Sequence, residues 1–259
     1  MREAAAMTSR RVFLAVLAAA CATEPSMPPA RVYELRNYLL HPGQRDVLIE
    51  LFEREFIESQ EALGSCVNGT FRDLDDPDRF VWIRSFADFA ARPAALNAFY
   101  TGPVWQTHRT AANATMIDSD NVLLLRPRSG ALSCDAATRA PIGATAIPAS
   151  VIAAATYFLA PGGEDEFGAF FDDAIAQRMR DAGGEVLATF VSEVRENNYP
   201  RLPVRENVNA FVSMARFGSF TAQTESARAL GAIGREIERR TVQPAETLRL
   251  QPTARSLLR

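Results

Sequence analysis

Two segments of this chain, 32–127 and 150–252, pass through the same succession of signals, and that repetition constrains the fold more than any single motif. Tyr33-Glu34-Leu35-Arg36 leads to Pro42-Gly43, and the first segment closes at Leu123-Leu124-Leu125-Arg126-Pro127. The second runs from Val151 through Pro161-Gly162 to Leu248-Arg249-Leu250-Gln251-Pro252. The two Pro-Gly pairs lie 119 residues apart and the strand ends Phe86 and Phe217 lie 131 apart, which places 12 extra residues in one longer hairpin loop of the second copy. A duplicated unit implies two like domains packed as an intramolecular pseudo-dimer, with any cavity shared between them.

Within each copy the hydrophobic period alternates between 2 and 3.6. Val32 to Leu40 is rich in β-branched and aromatic residues and is broken by His41-Pro42-Gly43. Val47, Leu48, Leu51, Phe52, Phe56 and Leu63 then recur at helical spacing until Gly64. A hairpin about Asp75-Asp76-Pro77-Asp78, a helical stretch interrupted at Arg92-Pro93 and Thr101-Gly102-Pro103, and a closing strand at 121–126 complete the first copy. Its order, β-α-β-β-α-β, is the ferredoxin-like split unit. The second copy repeats that order, with the helix after Gly163 presenting Phe167, Phe170, Phe171, Ile175 and Met179 on one face. The expected class is α+β: two tandem ferredoxin-like domains, 32–127 and 150–252, forming a pseudo-dimeric α/β barrel. A linker spans 128–149 and a tail 253–259.

Composition narrows the chemistry. All 28 basic residues are arginine, which removes Schiff-base catalysis and the P-loop lysine. A pI near 5.6 argues against nucleic acid as a partner. Ser9-Arg10-Arg11-Val12-Phe13-Leu14, an apolar run over 15–20 and Cys21 read as an export signal of twin-arginine type over residues 1–21, followed by a Pro-rich tether to residue 31. Cys21 is a candidate lipidation site. The expected location is the periplasm or cell envelope, with membrane attachment only through that lipid. Cys66 and Cys134 could pair in an oxidising compartment, but nothing in their spacing brings them together, and free thiols are the expectation.

The first copy resembles the NIPSNAP family of the dimeric α/β-barrel superfamily. The resemblance rests on Tyr33-Glu34-Leu35-Arg36, Pro42-Gly43, Phe80-Val81-Trp82-Ile83-Arg84, Phe99-Tyr100, Gly102-Pro103-Val104-Trp105, His108-Arg109 and Asp120-Asn121-Val122-Leu123-Leu124. It implies the barrel fold, and no single activity follows from it. The second copy lacks the Trp and His residues.

Strand alternation sorts the candidate site residues. If Tyr33, Leu35 and Leu39 pack on the helices, then Glu34, Arg36, Tyr38, Trp82 and Arg84 line the lumen between the two sheets. The matching positions of copy two are Ala153, Ala155, Tyr157, Phe211, Ser213 and Ala215. The expected site is therefore an asymmetric lumen pocket, with Trp105 as a further ligand contact. The competing reading has Glu34 pairing with Arg36 or Arg84 in a filled interior. Tyr38, Arg84 and His108 are the catalytic candidates, His108 because imidazole titrates near neutrality. Against it, a helical His on the outer surface never meets the lumen, and His41 reads as structural. Two histidines 67 residues apart give no metal signature, and no cofactor is expected; haem through either His is the remaining alternative. The acidic turn at 75–78 and Glu164-Asp165-Glu166 read as turn and helix-start chemistry. The loop 195–205, with Tyr199 at its centre, is placed to cover a pocket mouth or a partner surface.

Two functional readings follow. One is an exported binding module for a small apolar or aromatic ligand or a protein partner, using the inter-domain barrel. The other is a cofactor-free oxygenase or isomerase in which Arg36 or Arg84 stabilises an enolate, Tyr38 donates a proton and Trp82 holds an aromatic substrate. A homodimer through edge strands stays open.

Overall fold

The computed structural model describes residues 31–259, so the export signal, Cys21 and the tether lie outside the described residues. The first half contains β1 (Val32–Leu40), α1 (Arg45–Leu51), a π-helical turn (Phe52–Phe56), α2 (Ile57–Glu61), β2 (Ser65–Asp73) and β3 (Arg79–Phe86). These are followed by α3 (Ala91–Thr101), α4 (Pro103–Asn113), the short β4 (Met116–Asp118) and β5 (Val122–Gly130). The second half contains β6 (Val151–Phe158), α5 (Glu164–Phe170), a second π-helical turn (Phe171–Ile175), α6 (Ala176–Asp181), β7 (Gly184–Ser192), β8 (Ala210–Phe217), α7 (Phe220–Gly231), α8 (Gly234–Glu238) and β9 (Glu246–Pro252).

Eight of these strands close into an antiparallel barrel. The order is β3-β2-β9-β6-β8-β7-β5-β1, and β1 pairs back onto β3; β4 adds two residue pairs at the end of β1. Closure leaves no free edge around the ring, so its backbone groups are paired without a partner chain. The halves meet at two seams, β2 with β9 and β5 with β7. Pro42-Gly43 and Pro161-Gly162 make the same turn in both halves, with Gly43 at φ 76° and Gly162 at φ 81°, a backbone region that suits a residue lacking Cβ. The π-helical turns begin at Phe52 and Phe171 and so fall at the same distance past each turn. The extra length of the second half lies where the spacing placed it, between Ser192 and Ala210.

The barrel interior is a packed hydrophobic core. Tyr33, Leu35, Val81, Ile83, Leu123 and Leu125 from one half interlock there with Ile152, Ala154, Phe190, Val212, Met214 and Leu250 from the other. Leu132 and Leu258 join the same cluster from outside the sheet. The C-terminal residues are thus not a free tail: Thr253, Ala254, Arg255, Ser256 and Leu258 are all buried. Thr253 Oγ1 lies 2.6 Å from Thr70 Oγ1, and the Ser256 hydroxyl accepts from the Thr70 N–H at 3.2 Å. Cys66 and Cys134 are joined in a disulfide with their Cα atoms 6.0 Å apart, which corrects the expectation of free thiols. The segment after β5 folds back along β2, a path no local pattern announces, and so brings Cys134 to the strand that carries Cys66.

Candidate functional site

The polar and aromatic side chains of β1 and β3 face the helices, which reverses the expected orientation of both faces. Tyr38, Phe80 and Trp82 pack against Leu48, Phe52, Phe56 and Phe99 of the first half's helices. Tyr33 and Leu35 point into the barrel. The physical reason is closure. A lumen walled by fully paired strands offers no spare hydrogen-bonding groups, so aliphatic residues fill it, while groups needing partners turn to the helices, which can supply them. The second half follows the same rule: Ala153, Ala155, Tyr157, Phe211 and Ala215 meet Phe167, Phe171 and Ile175. The expected asymmetry between the halves is present, but on the sheet–helix side, and there is no shared pocket walled by these residues in the lumen.

Register assembles the site. Glu34 lies opposite Arg84 and Arg36 opposite Trp82 across the β1–β3 ladder. The Glu34 carboxylate sits at the centre of three guanidinium groups. Arg36 Nη1 donates to Oε2 at 2.9 Å, Arg84 Nε to Oε2 at 2.8 Å, and Arg92 Nε to Oε1 at 2.6 Å. Arg84 Nη1 also donates to Gln60 Oε1 at 2.7 Å, and Arg36 Nε to Tyr38 Oη at 2.9 Å. Glu34 and Arg92 are 0% exposed, Arg36 and Arg84 1%. Burial works to raise the Glu34 carboxyl, but Arg84, Arg36 and Arg92 outweigh it and hold the group well below the ordinary carboxylate range. Burial likewise raises the Tyr38 phenol, with Arg36 opposing, so the phenol stays protonated at neutral pH. Accepting from Arg36, Tyr38 keeps its own proton to donate.

In front of this cluster is a gap of about 30 Å³ lined by Tyr38, Gln60, Trp82, Phe99, Tyr100 and Trp105. The buried Trp82 Nε1 has no hydrogen-bond partner. Arg84 and Arg36 lie 5.0 and 5.6 Å from the Trp82 ring. Tyr100 and Trp105, 4.9 Å apart, separate this gap from an outer pocket of about 100 Å³ walled also by Gln106, Arg109, Tyr199 and Arg201. Tyr199 and Arg201 come from the long β7–β8 loop, which lies against the first half's helices. Arg92 Nη1 donates to Asn197 Oδ1 at 3.0 Å and to Asn198 Oδ1 at 2.7 Å, and Asn198 Nδ2 donates to the Phe89 carbonyl at 2.6 Å.

The structure thus brings Glu34, Arg36, Tyr38, Trp82, Arg84 and Trp105 together. His108 is not among them. It lies half-buried on α4, with Nε2 3.6 Å from Glu55 Oε2, outside the gap lining. His41 is exposed. Asp75 pairs with Arg249 and Asp76 with Arg79, and no group of three or more metal-ligating side chains occurs among the described residues. Gln60, Arg92 and Tyr100 were not among the site candidates read from sequence, and Asn197 and Asn198 entered only as part of the covering loop 195–205. Arg92-Pro93 read there as a helix interruption.

Residues 33–130 match the NIPSNAP family model. The whole barrel is similar to a monooxygenase-like protein of Fusobacterium nucleatum (8% identity, 88% of this chain and 94% of that one, TM-score 0.57). It is also similar to one of Lactobacillus acidophilus (12% identity, 88% and 97%, TM-score 0.54). A NIPSNAP family protein of Agrobacterium tumefaciens is 23% identical over 40% of this chain and 95% of its own, with a TM-score of 0.37. No curated protein sequence matches. The candidate site lies between the sheet and helices of the half that matches this family model, closed on one side by the loop of the second half.

Proposed function

We propose that this protein is an exported binding module for a small aromatic ligand, held between the sheet and helices of its NIPSNAP-like half. The observation that carries the reading is a buried Arg36–Arg84–Arg92–Glu34 cluster beside an aromatic gap lined by Trp82, whose buried indole N–H has no partner. Mostly apolar walls with a few convergent polar groups are what small-ligand sites require. The second half, built as the same βαββαβ unit and packed as a pseudo-dimer partner, supplies the barrel closure and the covering loop. The Cys66–Cys134 bond supports an oxidising compartment, in line with the twin-arginine-like segment at Arg10-Arg11. Attachment through Cys21 is the membrane-associated form of this proposal.

Native mass spectrometry of the protein purified from its exported compartment tests the reading. A co-purifying small molecule that is lost in the Trp82→Ala variant supports it. An empty protein with no thermal shift against a panel of small aromatic compounds overturns it. Substituting Arg10 and Arg11 by lysine is expected to leave the protein in the cytoplasm; unchanged export would sink the twin-arginine route.

The Arg36–Tyr38 hydrogen bond favours a second, catalytic reading. Arg36 is placed to stabilise an enolate or phenolate and Tyr38, protonated, to donate to it, as a cofactor-free oxygenase or isomerase would need. The structural neighbours described as monooxygenases agree with it at the level of fold. Loss of turnover in Tyr38→Phe with ligand binding intact would decide for catalysis.

A further inference from the structure

We propose that the ligand is a small aromatic carboxylate, and that the inner gap and the outer pocket are two parts of one site divided by Tyr100 and Trp105. This inference rests on reading the sheet–helix gap as a binding site.

Charge balance carries the argument. Arg36, Arg84 and Arg92 share one carboxylate, that of Glu34, leaving a surplus of two positive charges in the cluster. Buried charge is expensive unless compensated, by several kcal/mol per ion on general grounds. The unmet hydrogen-bonding demand points the same way. Trp82 Nε1 and Arg92 Nη2 are both buried without a hydrogen-bond partner, and both are donors. Buried water would satisfy such donors but leave the charge in place; an anion answers both. Trp82 lines the gap, and with Arg84 and Arg36 at 5.0 and 5.6 Å from its ring, an anion accepting its N–H lies within reach of both guanidinium fields.

Size and access identify the rest of the ligand. A gap of about 30 Å³ holds one water, so an aromatic ring enters only when its outer wall moves. That wall is Tyr100 and Trp105, two half-buried side chains flanking the Gly102-Pro103 break between α3 and α4. Beyond it the outer pocket carries Arg109 and Arg201, which attract an anion, and the buried Tyr199 hydroxyl, which has no partner. Joined, the two spaces accept a ring among aromatic walls with its carboxylate turned toward Trp82.

The chain has two tryptophans, Trp82 and Trp105, and both line the gap, so intrinsic fluorescence reports directly on it. The full-length protein is titrated with benzoate and phenylacetate, and separately with the neutral isosteres benzamide and phenylacetamide, with thermal shift as a second readout. The expected result is saturable binding of the acids at least tenfold tighter than of the amides. Trp82→Phe, which keeps the ring and removes the donor, is expected to weaken the acids about tenfold and the amides less, since a neutral carbonyl accepts the same N–H more weakly. Equal affinity for acids and amides overturns the anion inference while leaving the gap as a binding site. No response to either class, by fluorescence or thermal shift, overturns both readings.

Discussion

Arg92 on α3 donates through Nε to Glu34 on β1 and through Nη1 to Asn197 and Asn198, so one buried guanidinium ties the helices and the sheet of the first half to the loop of the other half. The Glu34 carboxylate is the hub of this arrangement, and the three arginines around it are unequal to it in consequence.

Replacing Glu34 and replacing Arg92 should therefore have very different costs. Glu34→Gln leaves three buried guanidinium groups with no counter-charge, and breaking a buried pair in that way costs about 3–5 kcal/mol. Arg92→Met leaves Glu34 still held by Arg36 and Arg84 and removes one surplus charge, so the penalty is expected to be less than half as large. Urea denaturation of both variants checks the order. Hydrogen exchange should show the 195–205 loop loosened in Arg92→Met, because its two asparagine contacts are gone; equal costs for the two variants would mean that Glu34 is not the hub.

Acid should find the same weakness. The arginines hold Glu34 below its ordinary value of 4.5, so the folded state binds this proton less readily than the unfolded chain. A depressed carboxyl contributes stability that is fully present above pH 4.5 and is lost as pH falls below it toward the folded value. The midpoint of urea unfolding should fall progressively below about pH 4.5 in the native protein. The decline should be shallower in Glu34→Gln, measured at low urea. Parallel pH profiles for the two proteins would remove Glu34 from the account.

The contrast between Glu34 and Leu35 shows what was legible in the sequence. Period-2 alternation correctly put these neighbours on opposite faces, and the repeat placed the strands, the matched Pro-Gly turns and the longer loop. Which face turned inward was not legible, because alternation is symmetric and the choice depends on barrel closure, a tertiary event. The usual rule that polar residues avoid the helix side fails here, since Gln60 and Arg92 approach from α2 and α3 to satisfy them. The cluster Glu34, Arg36, Tyr38, Trp82 and Arg84 was found by pattern. Arg92 was not, and the loop carrying Asn197 and Asn198 was read as a cover without its contacts to Arg92, because these contacts span 58 to 106 residues of chain and leave no local signal.

The disulfide closes such a long-range contact covalently. Cys66 and Cys134 are separated by 68 residues, and loop-closure entropy for that length corresponds to about 4 kcal/mol, within the usual range for removing a native bridge. Intact mass measurement with and without reductant should show the pair oxidised. Cys134→Ser, at an exposed position, should lower stability by about 2–4 kcal/mol. A variant as stable as the oxidised parent would show that the bond carries no share of the fold.

Leu258 lies six residues past the last strand, β9, in a stretch without regular secondary structure. Here it is buried among the barrel interior residues beside Leu132, and the segment leading to it is pinned on both sides. Thr253 Oγ1 donates to Glu53 Oε1 at 2.5 Å, the Arg255 N–H donates to the same oxygen at 2.9 Å, and the Leu258 N–H donates to the Asn68 carbonyl at 3.2 Å. The expected cost of Leu258→Ala is that of an interior leucine, about 2–4 kcal/mol, rather than the few tenths typical of an exposed residue. Because Leu258 packs beside Gly69 and its N–H is bonded to the Asn68 carbonyl, next to the β2–β9 seam, exchange protection should fall first at Asn68 to Thr70. Urea denaturation with site-resolved hydrogen exchange measures both. A loss under about 0.5 kcal/mol, the level of an ordinary surface substitution, would mean that the C-terminal segment rests on the barrel without packing into it.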